Sequence, residues 1–245
     1  MCSHPFITVE DLRYSYPGGL AALHGVSFHI QTGESIGLIG PNSAGKTTLF
    51  LCLSGVLVPT AKSLVVGDLD LARPENRREL PARVGIVFQN SDDQLFNSTV
   101  FDDVAFGPLN LELPPDEVRR RVAQALAQVG MQGQDHRVPY HLSGGEKRRV
   151  ALAGVLAMRP EVLLLDEPSI YLDPRGRREL IQLINQLGGT KIIASHDLEM
   201  ILQTCSRTLL LDQGNLIAEG ETRALLSNPI LMEAHGLEVP ASLRK

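Results

Sequence analysis

An eight-residue run, Gly40-Pro41-Asn42-Ser43-Ala44-Gly45-Lys46-Thr47, restricts this chain more than any other feature. It follows the apolar stretch Ser35 to Ile39 and precedes Thr47 to Leu53, whose composition is helix-forming. The pattern is G-x-x-x-x-G-K-[ST]: a glycine-rich turn lets backbone N–H groups and the next helix amino terminus surround phosphate oxygens. Chance gives such a match in roughly one per cent of chains this long, and the strand before it and helix after it disfavour a coincidental turn further. Lys46 is placed to reach the terminal phosphates of ATP, and the Thr47 hydroxyl to ligate Mg²⁺. Gly40, Asn42, Ser43, Ala44, Gly45, Lys46, Thr47 and the adjacent Thr48 are the candidate nucleotide-binding residues.

The cation needs a carboxylate, and the apolar run Val162 to Leu165 ends on Asp166-Glu167. Asp166 is expected to face Mg²⁺, directly or through water. Glu167 is then placed to polarise a water toward the γ-phosphate, a role that contributes about 10² to 10⁴ in rate. The plain alternative is an acidic turn at a strand end, which the loop at Gly40 makes the poorer reading.

Ile7, Val9, Leu12, Tyr14 and Tyr16 alternate imperfectly, and Val26 to Ile30 again, which predicts two antiparallel strands closed by turns at Pro17-Gly18-Gly19 and Thr32-Gly33. Further strands are expected at Ser35 to Ile39, Arg83 to Phe88, Val162 to Asp166, Lys191 to Ser195, Thr208 to Leu211 and Leu216 to Ala218. Several are continuous apolar runs suited to a sheet covered on both faces. Between Gln89 and Pro160 the pattern turns helical: Val118, Val122, Ala125, Leu126 and Val129 recur at helical spacing behind Pro114-Pro115-Asp116. The expected fold is α/β, with a mostly parallel sheet carrying the phosphate loop, an antiparallel β subdomain at the start and an inserted helical lobe.

Leu142-Ser143-Gly144-Gly145-Glu146 opens a basic, amphipathic helix that begins Lys147-Arg148-Arg149. Serine cap, two glycines and helix amino terminus form a second anion site, although Ser followed by Glu at the third position is also an ordinary capping box. With the loop and the acidic strand, this pentapeptide makes the chain resemble the ATP-binding subunits of ABC transporters over essentially all 245 residues. That resemblance implies a P-loop NTPase with a RecA-like core, one ATPase domain over 1–245, a core lobe at about 1–89 and 160–245, and a helical lobe at about 90–159. It also implies that Ser143, Gly144 and Gly145 contact ATP held by another subunit, in a head-to-tail dimer. Tyr16 lies where an aromatic ring stacks on adenine, with Tyr14 as its rival. Gln89 matches the loop glutamine that contacts Mg²⁺, and His196 the histidine that contacts the γ-phosphate. Lys46, Gln89, Glu167 and His196 are thus the expected catalytic set, and Thr47, Gln89 and Asp166 the metal set. Two departures stand out: Ser43 occupies a position often held by glycine, and Ile170-Tyr171 replaces a small pair in a loop expected to touch the opposite subunit.

Phe88 to Leu111, with its Asp92-Asp93-Gln94 run, is similar to the ATPases of energy-coupling-factor importers, including the cobalt and nickel type; the similarity continues through Ser195 to Met200 and Leu237 to Lys245. It implies a transmembrane coupling subunit and a substrate-binding membrane protein as partners, and leaves cobalt, nickel and vitamins open as cargo. A net charge of -5 with scattered Lys and Arg argues against a nucleic-acid partner. No apolar run reaches the roughly 18 residues of a spanning helix, and the amino terminus lacks a secretory pattern. A cytoplasmic protein, peripheral on the inner face of the membrane, is expected. Cys2, Cys52 and Cys205 show no metal or redox spacing and are expected to be packing residues.

Overall fold

The computed structural model describes residues 5–244. Its first half contains β1 (Ile7–Ser15), β2 (Ala21–Ile30), β3 (Ser35–Ile39), α1 (Lys46–Leu53), β4 (Ser63–Val66), β5 (Leu69–Asp70), α2 (Leu80–Arg83) and β6 (Val84–Val87). Three helices follow, α3 (Val100–Asn110), α4 (Pro115–Gln128) and α5 (Gly144–Met158). The chain then alternates β7 (Val162–Asp166), α6 (Pro174–Gln186), β8 (Thr190–Ala194), α7 (Leu198–Thr204), β9 (Arg207–Asp212), β10 (Asn215–Glu221), α8 (Thr222–Leu226) and α9 (Pro229–Ala234).

Two sheets organise these elements. A six-stranded sheet runs β10-β9-β3-β8-β7-β6, parallel throughout except for the antiparallel edge strand β10. A four-stranded antiparallel sheet runs β2-β1-β4-β5. The broken alternation in β1 has a local cause. Pairing slips between Val9 and Leu12, Asp11 takes φ 49°, and its N–H donates to Ser27 Oγ at 2.9 Å. This bulge turns both Val9 and Leu12 into the core.

Both faces of the large sheet are covered, which explains why its strands read as unbroken apolar runs. Ile36, Leu38, Leu164, Ile192 and Leu209 join a cluster with α1 and the antiparallel sheet. Ile39, Leu163, Leu165, Ile193 and Leu210 join a second cluster with α3, α4 and α5. Val118, Val122, Ala125 and Leu126 of α4, and Val129 at its C-cap, are all buried in that second cluster. The helical segment therefore shares its core with the sheet instead of forming one of its own.

Differences from the sequence reading are small and physical. β6 starts at Val84 because Arg83 closes α2, and β8 is Thr190–Ala194, one residue earlier than expected. β4 and β5 were not foreseen, being only four and two residues long. Cys52 and Cys205 are buried, and burial pushes their thiols up to about 12 and about 11, as befits packing residues; Cys2 lies outside the described residues.

Candidate functional site

The phosphate loop leaves β3 at the carboxyl end of the parallel sheet, where open α/β sheets bind their ligands. Gly40 adopts φ 151°, and a Cβ there would lie 1.9 Å from the Leu211 carbonyl oxygen, so no side chain is tolerated. Gly45, at φ 105°, is the N-cap of α1 and gives it no side-chain cap, which leaves the first-turn amides free for an anion. Ser43 takes φ 61°. A non-glycine residue in this left-handed conformation costs on the order of 1 kcal/mol.

Lys46 is buried, and its Nζ donates to the carbonyls of Gly40 at 2.8 Å and Pro41 at 2.9 Å, closing the loop on itself. Burial lowers its pKa, while the charges of Glu167 and Asp166 act the other way. Across the sheet, Asp166 ends β7 and accepts a hydrogen bond from Thr47 Oγ1 at 2.8 Å. Burial pushes the Asp166 carboxyl up, against the opposing effects of Thr47, Lys46, Arg148 and His196.

Glu167, at φ 46°, points one carboxylate oxygen into protein and leaves the other free. Oε2 accepts from Ser195 Oγ at 3.2 Å and from the His196 backbone N–H at 3.1 Å. His196 Nε2 lies 3.3 Å from Oε1, yet the approach lacks hydrogen-bond alignment, so Oε1 is a buried acceptor with no donor. A single cavity of about 640 Å³ brings together Tyr16, Asn42 to Thr48, Gln89, Asp166, Glu167, Ile170 and His196. That volume falls within the roughly 300–1,000 Å³ typical of small-molecule sites.

The two tyrosines separate. Tyr14 packs against the apolar cluster of the antiparallel sheet. Tyr16 lies just past the end of β1, lines the cavity and makes a 3.1 Å hydrogen bond with Thr48 Oγ1. Pairing slips again between Tyr14 and Ser15, and β1 ends at Ser15, so Tyr16 lies outside the strand that holds Tyr14; their rings meet edge to face at 5.0 Å.

Ser143, Gly144 and Gly145 line a different cavity, with Tyr171, Asp173 and Arg175 among its walls and no residue in common with the first. The capping box is formed: Ser143 Oγ accepts from the Glu146 N–H at 3.3 Å, and Glu146 Oε2 from the Ser143 N–H at 2.7 Å. The Ser143 N–H and Arg137 hold the Glu146 carboxyl down at about 2. Ile170 and Tyr171 part company, Ile170 facing the first cavity and Tyr171, at φ 62°, the second.

Sequence reasoning missed Ser195, whose hydroxyl holds Glu167, and Arg148, which bonds the backbone around Gln89. In the sequence Arg148 is one of three basic residues that open an amphipathic helix, with nothing to set it apart from Lys147 and Arg149. Leu20, Ala21 and Ala22 beside Tyr16 carried no chemical signal at all.

This fold and site define a phosphate-loop nucleoside triphosphatase. Within that class the chain belongs to the ABC transporter family, whose model matches residues 23–170, and it is an ATP-binding ATPase subunit of that family. It is 51% identical to a putative ABC transporter ATP-binding protein of Geobacter sulfurreducens, over 99% of this chain and 97% of that one. It is 48% identical to the energy-coupling factor transporter ATP-binding protein EcfA of Methanothermobacter thermautotrophicus, over 96% of this chain and 76% of the relative. Among solved structures it superposes on CbiO1 of Clostridium perfringens, part of the ABC transporter complex CbiONQ, with a TM-score of 0.82 and 37% identity over 94% of each chain. The ATP-binding cassette MJ0796 matches in fold, with a TM-score of 0.78 at 24% identity over 88% of this chain and 98% of that one.

Proposed function

We propose that the chain binds and hydrolyses Mg-ATP in a head-to-tail dimer with a second ATP-binding subunit, a copy of itself or a paralogue, and so drives micronutrient import. The observation that carries this reading is the division of the family's motifs between two cavities of one chain. ATP in the loop of one subunit is then closed over by Ser143, Gly144 and Gly145 of the other.

Within this reading Tyr16 stacks on adenine, Lys46 and His196 contact the terminal phosphates, and Glu167 Oε1 receives the attacking water's hydrogen bond. Thr47, Gln89 and Asp166 hold Mg²⁺, which when bound neutralises phosphate charge. The donor set fits that ion. Thr47 Oγ1 and Asp166 Oδ2 are already 2.8 Å apart, and no cluster of three or more His, Cys, Asp or Glu could hold a metal alone among the described residues. A hard cation that keeps water and phosphate oxygens as ligands suits such a pair.

Residues 1–89 and 160–245 are assigned to the core lobe of one domain, and 90–159 to the helical lobe. No helix among the described residues is long and apolar enough to cross a membrane, so membrane partners supply the pathway. Exposed Phe96, Phe106 and Leu109, beside Asp92 and Asp93, support docking of a transmembrane coupling subunit at the helical lobe, with the chain held at the inner face of the membrane. The EcfA and CbiO1 relatives support an importer that also includes a substrate-binding membrane protein, with cobalt, nickel or a vitamin as cargo.

Complementation tests the composite site. Lys46→Ala and Ser143→Ala chains are each inactive alone, and mixing them restores about a quarter of the wild-type sites, because half the dimers carry one intact pair. No recovery on mixing refutes the head-to-tail arrangement. A second reading, a catalytically weak subunit of an unequal dimer, is favoured by Tyr171, a bulky residue held at φ 62° beside Ser143. Steady-state ATPase of the purified membrane complex separates the two.

A further inference from the structure

Arg148 is a guanidinium buried to 5% exposure that forms no ion pair among the described residues. Instead it donates to two carbonyls, Phe88 O at 2.6 Å and Gln89 O at 2.5 Å. Burying a cation that no carboxylate contacts directly is unfavourable, and desolvation lowers the Arg148 pKa while the charge of Asp166 acts the other way. The charge is kept where it touches the backbone of one candidate catalytic residue, five positions along the chain from Ser143.

The contacts around it are directional. Lys147 Nζ bonds Asp92 Oδ1 at 2.7 Å from the same helical turn. On its other side the segment is clamped to β6 by Gln94, which accepts from the Phe88 N–H at 2.9 Å and donates to Ile86 O at 3.0 Å. The loop from Gln89 to Gln94 is thus tied to the sheet at Gln94 and to α5 at Phe88, Gln89 and Asp92. α5 holds the backbone of Gln89 directly.

We infer that Arg148 is a positioning residue that fastens the Gln89 loop to α5, so that the Ser143 turn and Gln89 move as one body. This rests on the composite-site reading above, because it gives the two motifs a mechanical link within one chain while they serve different ATP molecules. The field of Arg148 also favours ionised Asp166, which burial opposes.

The test uses the full chain carrying Glu167→Gln, so that bound ATP is not consumed, and measures amide hydrogen exchange of residues 89–94 with and without ATP. Arg148→Met is expected to abolish the ATP-dependent change in exchange while the ATP dissociation constant stays within about threefold. Arg148→Lys, which keeps the charge but reaches only one carbonyl, recovers part of the response. With Glu167 intact, Arg148→Met lowers kcat about tenfold or more at unchanged KM, the size expected for losing a hydrogen-bonded charge. If Arg148→Met does not fold, Arg148→Lys carries both readings. An exchange response and kcat like the parent's overturn the inference, as does a parent chain with no exchange response. Failure of the parent chain to bind ATP at all refutes the proposed function instead.

Discussion

Glu167→Gln separates ATP binding from ATP cleavage because the two carboxylate oxygens of Glu167 have different tasks. Oε2 is fully engaged, accepting from Ser195 Oγ and the His196 N–H. Oε1 is buried without a donor, on a residue that lines the cavity. In the glutamine variant the amide oxygen takes the place of Oε2 and keeps both bonds, while the NH₂ group replaces Oε1. The fold therefore changes by no more than about 1 kcal/mol, the scale of one hydrogen bond. What disappears is the unpaired acceptor assigned to an attacking water, and a donor stands in its place. Loss of such a general base costs about 10² to 10⁴ in rate, or about 2.7 to 5.5 kcal/mol of barrier. Phosphate release by the membrane complex measures the rate, and calorimetric titration measures ATP affinity, which is expected to persist. Turnover within about threefold of wild type would refute the assignment of Oε1.

Ser43→Gly relieves a left-handed serine and should stabilise the chain by up to about 1 kcal/mol in urea unfolding, reduced by the entropy glycine adds to the unfolded state. Asp166→Asn should raise stability at pH 7 while abolishing hydrolysis: burial raises the native carboxyl pKa, so folding is penalised increasingly as pH rises through that value, and the amide removes the penalty. Glu146 has the opposite sign. Its carboxyl is held at about 2 against an ordinary 4.5, so its contribution is complete above 4.5 and is lost as pH falls toward 2; Glu146→Gln should destabilise the chain at pH 7 but not at pH 2. Native Cys52 and Cys205 should resist alkylation at pH 8, since their thiols remain protonated until about 12 and about 11.

The chemistry was more legible in the sequence than the geometry that organises it. Gly40 to Thr47 and Asp166-Glu167 could be read because their backbone demands and charges are local: a glycine whose Cβ would strike Leu211, and a carboxylate at the end of an apolar strand. The β1 strand was read with a fault in its alternation, and only the pairing with β2 reveals the fault as a bulge at Asp11. Whether Tyr14 or Tyr16 lined the cavity could not be decided from two tyrosines spaced by two, since the answer depends on where β1 ends. Ser195 and Arg148 were invisible as site residues because their partners, Glu167 and the Phe88 and Gln89 carbonyls, lie 28, 60 and 59 positions away.

The segment from Asp166 to Asp173 serves both cavities. Within eight residues it supplies the carboxylate beside Thr47, the free oxygen of Glu167, one wall of the nucleotide cavity through Ile170 and one wall of the Ser143 cavity through Tyr171. Two left-handed residues, Glu167 and Tyr171, bracket the turn that lets it face both ways. Each costs about 1 to 3 kcal/mol in a non-glycine residue. Tyr171→Gly removes one of these costs at a position 87% exposed, where little packing is lost. The isolated chain should therefore become more stable to urea. If the tyrosine instead serves the contact between subunits, the same substitution weakens ATP-dependent dimerisation in sedimentation velocity. Higher stability with unchanged dimerisation would leave Tyr171 without a role at the interface.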